Sequence, residues 1–154
     1  MGESRPADRE TVQATLARNR VMVTALAGGV LTLAAVAGFI DLSPVSFAER
    51  LSLPAGLAGL IMLVVGWHVY GKFRERAADV QDVATGCTRY STAILVALAL
   101  TEGFAFLGIV VYMLGGSLVA LTGVVTHVLL TGVLWPATEK LLPFLGRAGR
   151  HFVE

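Results

Sequence analysis

Charge is scarce in this sequence. Only 15% of its 154 residues are Asp, Glu, Lys or Arg, and the formal net charge is +1. An ordinary soluble domain carries about 25% charged residues. There is no block of like charge to grip nucleic acid. Cysteine is nearly absent too: Cys87 stands alone, so no intrachain disulfide can form, and an unremarkable thiol in a reducing compartment is the simplest reading. The short signatures of nucleotide binding and hydrolysis are missing as well. There is no P-loop, no G-x-G-x-x-G after a strand, no H-E-x-x-H and no nucleophile elbow. No Cys/His cluster has metal-ligand spacing. The expectation is therefore no enzyme, no cofactor and no metal.

Apolar length is what the sequence has instead. It is 55% hydrophobic, with a mean hydropathy of +0.73. Residues 21–40 and 51–71 carry no charge, 90–114 carries only Glu102, and 117–138 is apolar around His127. About 20 apolar residues cross a hydrocarbon core as a helix. Backbone in lipid must satisfy its own hydrogen bonds, and no β-barrel alternation is present. The expected fold class is an all-α membrane protein. Four transmembrane helices, at about 21–41, 51–71, 91–114 and 117–138, form an up-down bundle. A cytoplasmic N-terminal segment (1–20) and a cytoplasmic tail (139–154) flank the transmembrane domain (21–138).

Orientation follows from the basic residues. All twelve Lys and Arg except Arg50 lie in the N-terminal segment, the 72–89 loop or the tail. These three share one side of a four-pass path. Both termini are thus expected in the cytoplasm of a bacterial inner membrane. Two processing signals are present only in part. Ala35-Val36-Ala37 resembles a signal-peptide cleavage site, but the apolar run continues to Ile40. Met1-Gly2 starts like a myristoylation signal, but position 6 is Pro.

Between lipid-facing helices, close packing at small residues and hydrogen bonds drive association more than burial does. Small-xxx-small pairs occur at Ala25/Gly29, Ala34/Gly38, Ala55/Gly59, Ala99/Gly103 and Gly116/Ala120. The tight turn at Gly115-Gly116 makes the last two spans antiparallel neighbours. Glu102 lies mid-span, where a charge costs about 2.5–3.5 kcal/mol on insertion scales and marks a functional candidate by default. His127 lies at nearly the same depth, since both residues fall roughly 16–20 Å from the turn at about 1.5 Å per residue. A proton- or ion-handling pair of Glu102 and His127, or an interhelical polar site with Thr101 and Thr131, is the expectation. Structural hydrogen bonding is the plainer alternative. His68 sits nearer its membrane edge, beside Trp67 and Tyr70, and reads as an interfacial belt residue.

Two resemblances rest on short stretches. The 51–114 hairpin, with LVALALTEGFAFLGIVVYML in its second helix, resembles the proteolipid c subunit of rotary ATPases. That resemblance implies Glu102 as the proton- or sodium-carrying position. It departs from that family in lacking a glycine ladder, in its long loop and in its two extra spans. ALTEGFAF (99–106) and WPATEKLLPFL (135–145) resemble segments of small bacterial four-span membrane proteins of unassigned function, and this implies architecture alone. The expected partners are the lipid bilayer and a second copy or a larger membrane complex, with no nucleic acid. The expected role is that of an accessory or structural membrane subunit, with proton or cation translocation as the alternative.

Overall fold

The computed structural model describes residues 6–40 and 45–152. Met1-Gly2 and Asp41, the expected end of the first span, lie outside the described residues. The described residues are helical with no strand. Helix α1 spans Pro6–Phe39, α2 Ser46–Glu75, α3 Val83–Gly115, α4 Thr122–Val133 and α5 Thr138–Leu141. Single 3₁₀ segments occupy Leu118–Leu121, Leu142–Phe144 and Gly146–Phe152. The first three α-helices are long and apolar enough to cross a membrane.

The first helix departs from the expected polar segment followed by a span. It is one helix of 34 residues. Residues 7–20 are rich in Ala, Leu, Arg, Glu and Gln, all good helix formers, and no Gly or Pro interrupts them. Pro6 suits a first helical position, where its missing N–H costs nothing. Val12, Leu16, Asn19, Val23 and Val30 are buried along one stripe at helical spacing. That stripe holds the charged first half against the rest of the protein.

The 72–89 connector is also shorter than expected. Helix α2 runs through Glu75 and α3 starts at Val83. Asp82 caps α3, its side chain accepting a 2.8 Å bond from the Thr85 amide. That bond holds the exposed Asp82 carboxyl below its ordinary value of 3.8. A lowered folded-state pKa stabilises the fold at pH above the ordinary value, and the contribution fades as pH falls through the lowered one. Amide exchange at residues 83–86 is expected to accelerate in Asp82→Ala at neutral pH. In the native chain the protection of these amides, relative to their intrinsic exchange at each pH, should fall only under acid, and Asp82→Asn should behave as native at neutral pH. Equal exchange in Asp82→Ala and native chain would mean that the cap holds nothing in place.

The fourth apolar run is not one straight helix to residue 138. The Leu118–Val133 part meets the Thr138–Phe144 part at 92°. Pro136 lacks the N–H that would continue the ladder. Two cations take up carbonyls at this break: Arg20 Nε donates to Pro136 O at 3.1 Å, and Lys140 Nζ donates to Val133 O. The straight part covers about 26 Å by its α and 3₁₀ rise, a little under a hydrocarbon core. Beyond the break the chain is not a free tail. Leu141, Phe144 and Leu145 are fully buried. They share one core cluster with Val12 and Leu16 of α1, Tyr70 of α2, and Cys87 and Tyr90 of α3. A second cluster joins Val30 and Ala37 of α1 with Ala105 and Ile109 of α3 and Val124 of α4. So the first half of α1, the end of α2, the start of α3 and the segment past the break meet at one end.

Close approaches at glycine fix the helix crossings. A Cβ on Gly59 would lie 2.7 Å from the Gly123 Cα, and one on Gly123 would lie 2.8 Å from the Phe104 carbonyl oxygen. Of the small-residue pairs, Ala55/Gly59 lies at such a crossing. Gly116 forms the left-handed cap of α3 at φ 69°, and the Ala120 carbonyl packs against Gly108. Ala25/Gly29 and Ala99/Gly103 instead lie on outward faces, and a Cβ on Gly29, Gly38 or Gly103 would meet nothing within 4 Å.

Candidate functional site

Helix α3 has one buried arc and one open arc. Leu98, Thr101, Ala105 and Ile109 point inward, while Leu95, Ala99, Gly103 and Leu107 are exposed. Glu102 is half-buried at the border between them. No hydrogen bond or ion pair reaches its carboxyl from any described residue. Arg18 donates to Ser91 at 3.3 Å across a sequence offset of 73. The shared cluster of Val30, Ala37, Ala105 and Ile109 then makes α1 and α3 parallel neighbours. By that offset Glu102 stands at about the level of residue 29, where Gly28 and Gly29 leave open space.

His127 has the opposite surroundings. It is completely buried on α4. Its Nδ1 lies 2.9 Å from Thr101 Oγ1, and that hydroxyl lies 3.0 Å from the Leu98 carbonyl. A threonine hydroxyl has one proton, and the Leu98 carbonyl can only accept. The network therefore assigns that proton to Leu98 and makes His127 Nδ1–H the donor to Thr101. His127 Nε2 is then a buried lone pair, and it has no partner among the described residues. Thr131 lies one turn further on the same face, and its buried hydroxyl is likewise unpartnered. On the neighbouring face, the single Thr126 Oγ1 proton is shared between Gly123 O at 2.9 Å and Gly59 O at 3.2 Å, and the second contact ties α4 to α2.

The structure thus joins Thr101 with His127, sets Thr131 beside them and leaves Glu102 apart. The equal depth of residues 102 and 127 does bring α3 and α4 side by side there. However, consecutive residues on a helix point about 100° apart, and Thr101 holds the inward position. His68 is exposed on α2 while His127 is buried on α4, so the two share no site. Among the described residues no group of three or more His, Cys, Asp or Glu is placed to hold a metal.

One polar group escapes a reading of the sequence. It gathers at the break after α4. Asn19 is buried with its Nδ2 unpartnered, next in sequence to the Arg20 that binds Pro136 O. The Tyr90 hydroxyl approaches the Ala137 amide without reaching hydrogen-bond geometry. The available signal was the position of Asn19 on the Leu16–Val23 stripe, at spacings of three and four.

Removing the Thr101 hydroxyl leaves a buried imidazole N–H without an acceptor. Thr101→Val is expected to lower the unfolding free energy by about 1 kcal/mol, within the range of buried polar contacts in membrane proteins. Nitrogen NMR of native His127 is expected to show the proton on Nδ1. A proton on Nε2, with no stability change in Thr101→Val, would contradict the assignment.

Comparison with protein-family models, curated proteins and solved structures finds no match to this chain.

Proposed function

We propose that this chain is a four-pass bacterial inner-membrane protein with both ends in the cytoplasm. On this reading it is an accessory or structural subunit that works through helix–helix contacts, with no catalytic step of its own. On this reading the straight run from 118 to 133 makes the fourth pass, the segment past the 92° break lies across its end, and the distribution of Lys and Arg supports the orientation.

The observation that carries the reading is the unpartnered Glu102 beside the open small residues Ala99 and Gly103. A carboxyl on a lipid-facing rim is costly, and small neighbours let another backbone come close. A helix from a second copy or a larger membrane complex, bringing a hydrogen-bond partner to Glu102, removes that cost. Cysteine crosslinking in native membranes tests this. Gly103→Cys is expected to crosslink to a copy or a neighbour, and adding Glu102→Leu is expected to cut the yield severalfold. Gly132→Cys, also open but on α4, is the control face and is expected to stay monomeric. A monomer at both positions would sink the reading.

The second reading, proton or cation translocation, draws on the same unpartnered carboxyl. His127 supports it less, being bonded to Thr101. Its test is pH-dependent flux in liposomes, which Glu102→Gln should abolish.

A further inference from the structure

Trp67, Tyr70 and Arg74 recur at spacings of three and four near the end of α2, so they line one face of its last turns. The rings of Trp67 and Tyr70 stack at 6.1 Å between centroids. The 92° break after α4 folds the segment beyond it across this face. The result is a pocket of about 150 Å³ whose lining includes Trp67, Arg74, Val133, Glu139, Lys140 and Pro143.

The lining has two chemical zones. Trp67 and Val133 are exposed apolar surface at 53% and 51%. They continue the apolar outer faces of α2 and α4. Arg74 and Lys140 supply the opposite zone. Arg74 is exposed, and among the described residues no hydrogen bond or ion pair occupies its guanidinium. Lys140 uses one N–H on Val133 O and keeps two. Glu139 offsets one of these charges, so the lining carries one net positive charge, which a single phosphodiester would neutralise. Trp and Tyr mark the level where lipid headgroups begin, and cationic side chains at that level attract anionic headgroups.

We infer that this pocket binds the headgroup of an anionic phospholipid. The phosphate lies between Arg74 and Lys140, and an acyl chain runs along Trp67 and Val133. The inference is independent of Glu102, which lies mid-helix in α3, so either can fail alone.

The full chain, purified in micelles, is titrated with phosphatidylglycerol, phosphatidylcholine or inorganic phosphate and read by native mass spectrometry. Phosphatidylglycerol is expected to form a saturable adduct, with phosphatidylcholine and free phosphate at least about fivefold weaker. Arg74→Gln is expected to weaken the phosphatidylglycerol adduct about fivefold, with unchanged unfolding in the absence of lipid. Arg74→Lys is expected to retain most of the binding. Equal binding of the two lipids, displacement of the lipid by free phosphate at a matching concentration, or native-like binding by Arg74→Gln would each overturn the inference.

Discussion

Gly123→Leu is expected to lower the thermal unfolding midpoint of the purified protein by about 10 °C. Gly123 is pinched from two sides. Towards α3, its Cβ would lie 2.8 Å from Phe104 O and 3.2 Å from the Ala105 Cα. Towards α2, a Cβ on Gly59 already would lie 2.7 Å from the Gly123 Cα. The opposing atoms are backbone, so no rotamer change relieves the clash, and α4 must move away from a neighbour. Overpacking costs typically about 1–3 kcal/mol. Here the upper end applies, because displacing α4 also stretches the Thr126–Gly59 and Thr101–His127 bonds. At about 2–4 °C per kcal/mol for a chain of this size, about 3 kcal/mol gives that shift. Gly123→Ala is expected to fall between. Gly132→Leu, on the face expected to stay monomeric, is the control, since a Cβ there would meet nothing within 4 Å. A Gly123→Leu protein that melts with the native one would show that α2, α3 and α4 do not meet at this glycine.

The sequence displays that glycine's abundance but not its contact. Seventeen glycines are visible in composition, and nothing local separates Gly123, closed on two sides, from Gly132, where a Cβ would meet nothing within 4 Å. The difference lies in which face of each helix turns inward, and that is decided by neighbours. The same limit governs Glu102 and His127. Helical rise fixes depth from residue counts, so the side-by-side placement of α3 and α4 at that level was legible. Rotation about the axis was not. Thr101 and Glu102 compete for one inward position, and a threonine fits a dry interface at lower cost than a carboxyl.

Helix lengths show a different limit. Counting uncharged runs finds the apolar middle of a helix and stops at the first arginine. The backbone does not stop there. In α1 the stripe of Val12, Leu16 and Asn19 continues the inward face through charged sequence. Its 3.6-residue spacing was readable, but only as a pattern separate from hydropathy. The break after α4 was partly readable, because Pro136 signals a helix stop. The docking of residues 141–145 was not, because LLPFL becomes core only once α2 and α3 provide a surface.

That surface makes Phe144→Ala the sharpest test of the segment past the break. Phe144 is fully buried. Its ring lies 5.4 Å from Tyr70 and 5.2 Å from Tyr90 between centroids, so one side chain joins the end of α2 to the start of α3. Gly86 lets the backbone follow it in, since a Cβ there would lie 2.7 Å from Phe144 O. Truncating a buried Phe costs about 3–5 kcal/mol. Phe144 anchors the segment past the break rather than the long helices themselves, so the loss is expected as local release before global unfolding. Cleavage of the opened state follows its population when opening is fast. A loss of about 4 kcal/mol therefore predicts tryptic cutting after Lys140 and Arg147 roughly a thousandfold faster. The Thr101–His127 contact is expected to survive, with the Nδ1 proton signal unchanged. Phe144→Leu should cut at an intermediate rate. Native and Phe144→Ala chains cut equally fast would mean that the segment is not docked. If it is released as expected, the anionic-lipid adduct should weaken with it, because Lys140 and Pro143 leave the pocket while Arg74 and Trp67 stay on α2.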